Sequence, residues 1–248
     1  MIEPGDLFFL FIVGGVAGFV DAIAGGGGLL SIPALLWTGI SPIQAIATNK
    51  LQASMGSFTA TANYVRHGLV SPGKLWFAVF MTLLGAMTGA LLVQRLPNAW
   101  LETLVPVMLI IIALYFLFSK KIRLESGEQR ISLTAFSVLI GFTIGFYDGF
   151  FGPGTGSFFT IAFVLLLGYA LPQAIGGTKL LNFTSNVVAL GVFILSGHIL
   201  WLAGIVMGAG QILGSYLGSH MAIKHGGKLI RPMLVTISIL MSIKLLLD

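Results

Sequence analysis

The sequence predicts an all-α, polytopic membrane bundle built as two inverted repeats, and three observations predict it. Hydrophobic residues make up 56% of the 248-residue chain and charged ones only 8%, with a mean hydropathy of +1.00; a soluble domain carries about three times that charge. Apolar runs fill the chain, most of them near the roughly 20 residues a membrane helix needs. The first half is also echoed by the second at nearly constant spacing, as an internal duplication would leave it. One integral membrane domain over 1–248 follows, with repeat 1 at about 7–119 and repeat 2 at about 131–248.

Ten segments can be marked, at about 7–24, 28–40, 43–65, 75–95, 101–119, 131–150, 156–171, 174–196, 199–220 and 230–247. Eight are long enough to cross. The second and seventh, about 13 and 16 residues, follow glycine-rich starts and read as half-helices or re-entrant segments, so about 8–10 crossings are expected. The first segment follows Glu3 and Asp6 rather than a basic stretch, so no removable signal peptide is expected. The third opens at Ser41-Pro42-Ile43-Gln44, with serine as N-cap, proline at the first position and glutamine placed for a capping box. Trp37, Trp76, Trp100 and Trp201 fall near segment ends, where interfacial anchors belong.

The repeat is legible residue by residue. At an offset of 127, Gly14, Gly18 and Asp21 meet Gly141, Gly145 and Asp148; at 129, Gly39, Gly68, Gly85 and Gly89 meet Gly168, Gly197, Gly214 and Gly218. Pro106 and Pro232 match less tightly. Gly14/Gly18, Gly85/Gly89, Gly141/Gly145 and Gly214/Gly218 have the spacing that lets helices approach closely, which speaks of packing rather than chemistry. If all ten segments cross with the N-terminus outside, the inside loops hold Arg66, Lys74, Lys120, Lys121, Arg123, Arg130, Lys224, Lys228 and Arg231. The outside ones keep little beyond Arg95, Glu102, Asp148 and His198. That satisfies the positive-inside bias. Five segments per half then turn the second half upside down, as in many secondary transporters.

Several functions are excluded. The net charge of +5 comes from basic residues in short gaps between apolar runs, which argues for orientation in a bilayer and against nucleic acid. The chain has no cysteine, so disulfides, thiolate metal sites and iron–sulfur clusters are out. His67, His198, His220 and His225 lie in or beside loops without metal-ligand spacing. No catalytic triad, HExxH or P-loop appears, so no catalytic residue, cofactor or metal is expected.

The chemistry sits at two lysines. Gln44-Ala45-Ile46-x-x-x-Lys50-Leu51 recurs as Gln173-Ala174-Ile175-x-x-x-Lys179-Leu180. A charge near mid-bilayer costs roughly 3 kcal/mol on insertion scales, so its repetition asks for a reason. At about 100° per residue, Gln44, Thr48, Gln52, Thr59 and Asn63 share one helix face and Lys50, Ser54, Ser57 and Thr61 another; Lys179, Asn182 and Asn186 form the second-half stripe. Two readings stay open: structural ion pairs with Asp21 or Asp148, or a water-lined site in which both lysines and nearby amides and hydroxyls hold a small anion. Asp21 and Asp148, near helix ends, read either as interfacial residues or as proton acceptors coupling transport to a proton gradient. Gly25-Gly26-Gly27-Gly28, and Gly149 through Ser157 with Gly154 and the helix-breaking Pro153, read as tight turns or as turns that also line a cavity with anion-attracting amides.

Asp21-Ala22-Ile23-Ala24-Gly25-Gly26-Gly27-Gly28, Ile32-Pro33-Ala34-Leu35, Ala47-Thr48-Asn49-Lys50-Leu51-Gln52 and Gly145-Phe146-Tyr147-Asp148-Gly149-Phe150-Phe151-Gly152-Pro153-Gly154 resemble the sulfite exporter TauE/SafE family, especially its YfcA-like branch. The resemblance covers nearly the whole chain. It implies a multi-pass permease of the bacterial cytoplasmic (inner) membrane that exports sulfite or related sulfur anions such as organosulfonates. It places binding roles on Thr48, Asn49, Lys50 and Gln52 and on their second-half partners. The partners expected are a small anion and the bilayer; a homo-oligomer stays open.

A secondary transporter working by alternating access is the leading expectation. A passive anion channel would use many of the same residues. An intramembrane enzyme would use Asp21, Asp148 and the lysines as acid–base groups, but lacks a nucleophile or metal set. A purely structural subunit would not need two polar stripes.

Overall fold

The computed structural model describes residues 3–118 and 127–225. The expected tenth segment at about 230–247, with Pro232, and the basic residues Lys120, Lys121, Arg123, Lys228 and Arg231 lie outside the described residues.

Nine helices run through the described residues: α1 Pro4–Ala24, α2 Gly28–Trp37, α3 Pro42–Arg66, α4 Trp76–Val93, α5 Asn98–Phe118, α6 Leu133–Phe150, α7 Thr155–Leu167, α8 Leu171–Ser196 and α9 Trp201–His225. Local chemistry sets their ends. Glu3 and Asp6 form a capping box ahead of α1, with Pro4 in the first turn. Ser41 and Gln44 do the same for α3, the Ser41 amide donating to Gln44 Oε1 at 3.2 Å. α6 starts where Ser132 Oγ accepts from the Ala135 amide at 3.1 Å, and it carries one π turn, Ser137–Gly141. Gly25, at φ 79°, ends α1, and Gly154, at φ 83°, opens α7; both need the left-handed region that glycine enters without cost.

α1, α4, α6, α8 and α9 are long and apolar enough to cross a bilayer. α3 has 25 residues, about 38 Å at roughly 1.5 Å per residue, but its polar stripe lowers its apolarity. α2 and α7, with 10 and 13 residues, reach about 15 and 20 Å, short of the roughly 30 Å hydrocarbon core. They are short helices entered from glycine turns, as expected of the second and seventh segments. α9 runs to His225, so His220 lies inside a helix rather than beside a loop.

The small-residue motifs seat helices against each other across the repeat. A methyl group on Gly14 or Gly18 of α1 would collide with the Met207 or Gln211 carbonyl oxygen of α9. A methyl on Gly145 of α6 would sit 2.6 Å from the Thr82 carbonyl oxygen of α4. Gly214 of α9 abuts the Gly15 carbonyl, and its counterpart Gly85 of α4 abuts that of Phe142. Each contact has its partner under the sequence offsets, so α1 packs on α9 as α6 packs on α4. α3 and α8 cross between these pairs.

The molecule is apolar outside and encloses polar and charged groups within a largely apolar core. Phe8, Phe80, Leu195, Leu213 and Leu217 are exposed, while Lys50, Lys179, Thr48 and Ser185 are 0% exposed. The large apolar side chains turned outward suit a hydrocarbon solvent. All four tryptophans are exposed, Trp76 and Trp201 as the first residues of α4 and α9 and Trp37 as the last of α2.

Candidate functional site

The two lysines are held in the interior, each paired with the aspartate of the other half. Lys50 Nζ on α3 donates to Asp148 Oδ1 on α6 at 2.9 Å and also to the Asp148 carbonyl oxygen. Lys179 Nζ on α8 donates to Asp21 Oδ2 on α1 at 2.8 Å. Burial without a counter-charge would cost several kcal/mol per ion, so each pair holds its lysine in place. Both aspartates are enclosed by protein, Asp21 at 6% and Asp148 at 2% exposed.

The pairs are furnished differently. Asp148 Oδ2 also accepts from Ser185 Oγ and, at 3.4 Å, from Asn186 Nδ2, both on α8. Asn186 Nδ2 reaches Asn182 Oδ1 at 3.0 Å, which brings that residue into the cluster. Asp21 Oδ1 accepts only the Gly27 amide, at 3.3 Å, among the described residues.

Around the lysines the stripe is hydrogen-bonded. Asn49 Oδ1 accepts from Ser31 Oγ of α2 at 2.5 Å and from Gln52 Nε2 at 2.6 Å. The matching second-half pair, Thr160 and Thr178, bonds at 3.0 Å. Gln52 Oε1 is buried with no hydrogen-bond partner among the described residues. Thr48 stands apart from this cluster: its Oγ1 accepts from the Leu200 amide at 3.1 Å, satisfying a free donor at the start of α9.

The glycine turns meet at the centre. Gly25 and Gly156 are in backbone contact, and Ser157 Oγ donates to the Ala24 carbonyl oxygen at 2.7 Å. The N-terminal ends of α2 and α7, where helix dipoles are positive, therefore lie beside the buried ion pairs. Gly26 and Gly27 belong to the first turn. Gly154 is the residue ahead of α7, and its carbonyl oxygen accepts from Phe158 N at 3.1 Å.

Hydrogen bonds thus join Lys50, Asp148, Ser185, Asn186 and Asn182 in one cluster and Lys179, Asp21 and Gly27 in another, while Asn49 and Gln52 bond with Ser31, whose hydroxyl also reaches the Gly27 carbonyl; Gly26 and Gly154 lie in the glycine turns, and the Thr48 hydroxyl bonds Leu200. Sequence reasoning missed Ser31 and Ser185, and included Ser157 only as the end of the second glycine turn. Ser31 was findable, because the 129 offset that pairs Lys50 with Lys179 pairs it with Thr160 and Asn49 with Thr178.

Apolar faces turned outward, helices long enough to cross a bilayer and a charged, hydrogen-bonded interior define a multi-pass membrane protein. A family model described as sulfite exporter TauE/SafE matches residues 10–245. A probable membrane transporter protein of Haemophilus influenzae is 47% identical over 242 residues, 98% of this chain and 95% of its own length. The probable membrane transporter protein YfcA of Escherichia coli K12 is 48% identical over 248 residues, 100% of this chain and 92% of its own. The more distant YunE of Bacillus subtilis, also a probable membrane transporter, is 24% identical over 266 residues, covering 96% of this chain and 97% of that protein. The chain belongs to the TauE/SafE family. No solved structure matches it.

Proposed function

We propose that this transporter is a secondary carrier that exports small sulfur-containing anions, such as sulfite or organosulfonates, across the bacterial inner membrane by alternating access. The observation that carries the proposal is the pair of buried ammonium groups, each held by the opposite half. A lysine kept charged inside an apolar bundle is a ready counter-charge for an anion, and the neighbouring amides and hydroxyls supply donors that suit its oxygens. The cross-half pairing and the matched packing of α1 on α9 and α6 on α4 support two inverted repeats that exchange conformations. Export is favoured physically, since a monovalent anion gains about 2.3 kcal/mol per 100 mV on leaving a negative interior.

One or both of Asp21 and Asp148 are the coupling groups in this reading: a proton on the carboxylate releases the lysine it holds. The charged or titratable groups beside Asp21 are Lys179 on α8 and Tyr64 on α3, whose hydroxyl donates to the Ala22 carbonyl. Those beside Asp148 are Lys50 on α3 and Tyr147 on its own helix.

Proteoliposome flux of sulfite, sulfate, thiosulfate, taurine and small sulfonates, with and without a pH gradient, tests the reading. We expect saturable flux of at least one sulfur anion, enhanced by the gradient and lost in Lys50→Ala and Lys179→Ala. No flux of any of them, or full flux in both variants, would sink it. High-rate, temperature-insensitive flux without coupling would favour a channel instead.

A further inference from the structure

The two ion pairs are related by the repeat, but they are not equivalent. Lys50 donates to two oxygens of Asp148, and the remaining carboxylate oxygen is taken by Ser185 and Asn186. Lys179 has one acceptor, Asp21 Oδ2, among the described residues, although an ammonium carries three N–H donors and this one is 0% exposed. The cause is in the sequence. At the offset of 129 that pairs the lysines, Ser185 corresponds to Gly56 and Asn186 to Ser57. Gly56 has no hydroxyl to give, and Ser57 Oγ is bonded to the Ala53 carbonyl oxygen at 2.6 Å. The clamps that hold Asp148 are thus missing on the Asp21 side.

Both aspartates are closely packed, and a methyl on Gly27 would lie 2.7 Å from Asp21 Cβ and 3.3 Å from its Cγ; the free space lies one residue away. A methyl on Gly152 would lie 2.8 Å from both Lys50 Nζ and Asp148 Oδ1, so that pair is packed tight. Gly26 is buried, yet a methyl there would meet nothing within 4 Å among the described residues. It shares a peptide group with the Gly27 amide that bonds Asp21, so the free space borders the Asp21 turn.

The Asp21 carboxylate receives an ammonium and a glycine-turn amide at a helix start, which is what a small oxyanion needs. We propose that Asp21 is a built-in competitor seated in the oxyanion position between Lys179 and Gly27. The transported anion enters when Asp21 leaves, while Lys50 and Asp148 stay closed as a strut. This rests on the transporter reading above and assigns unlike roles to its two halves.

The test is anion binding to purified, detergent-solubilised protein, followed as the shift of the thermal unfolding midpoint with sulfite, thiosulfate, sulfate and chloride as probes. Asp21→Asn removes the competitor and leaves Lys179 its charge, so it should tighten oxyanion binding by about tenfold or more. Asp148→Asn should not tighten it and should lower the ligand-free midpoint further than Asp21→Asn does. Ser185→Ala, a milder cut in the same strut, keeps the comparison readable if Asp148→Asn fails to fold: it should lower the midpoint without tightening binding. Unchanged or weaker binding in Asp21→Asn, or tightening by the Asp148 or Ser185 change, overturns the proposal. If neither wild type nor variants bind any probe, the transporter reading falls with it. Equal losses of ligand-free midpoint in Asp21→Asn and Asp148→Asn would overturn the division of roles alone.

Discussion

Lys50→Ala offers the sharpest measure of what the buried pairs do. The ammonium makes two charge-assisted hydrogen bonds to Asp148, one to the carboxylate and one to the carbonyl oxygen. Such bonds contribute about 1.5–3 kcal/mol each. Their sum agrees with the roughly 3–5 kcal/mol lost when one partner of a buried ion pair is removed. Ser185 and Asn186 still reach the carboxylate, so the lower half of that range, about 3 kcal/mol, is expected. Removing both charges together, as in Lys50→Met with Asp148→Asn, leaves no stranded ion and should cost less than the two single changes summed. The assay is a double-mutant cycle on reversible unfolding in mixed micelles, followed by circular dichroism because the tryptophans are exposed. A coupling energy of at least about 1.5 kcal/mol is expected. Additivity within about 0.5 kcal/mol would mean that the ammonium and carboxylate do not support one another, and the account of the centre would fail.

The remaining predictions concern the frame. Gly156→Ala places a methyl 2.5 Å from the Gly25 Cα, backbone against backbone, and should cost about 1–3 kcal/mol of stability. Gly26→Ala, one turn residue away, meets open space and should leave the unfolding midpoint almost unmoved; equal losses in the two variants would contradict the packing described. Thr48→Val removes the acceptor for the Leu200 amide and should lower stability by about 1 kcal/mol, read by the same unfolding measurement. Asp148→Leu, which cannot hold Lys50, should abolish sulfur-anion flux in proteoliposomes; wild-type flux would contradict a shared centre.

Helix positions were legible in the sequence because apolar length and turn chemistry are local. The marked segment at about 43–65 became Pro42–Arg66, with the Ser41 and Gln44 capping box in place. The lysines were legible because a charge within an apolar run is conspicuous, and their repetition at a fixed offset made each support the other. What pairs with them was not fixed locally. Asp148 lies 98 residues from Lys50 and Asp21 158 from Lys179, so either aspartate was open until the helices were packed. The setting of Thr48 was open for a related reason. Helical periodicity assigns it to a polar face, yet that face is shared between α9 and the centre, and only packing decides which side its hydroxyl serves.

The glycine seams have a mechanical consequence. Where α1 meets α9 and α4 meets α6, glycines bring main chain onto main chain. Sliding either couple would open gaps that nothing nearby fills, so each should travel as a single plank. The give in the molecule then belongs to α3 and α8, where lysine, asparagine, glutamine and serine side chains reach across to their neighbours and can change rotamer as the planks tilt.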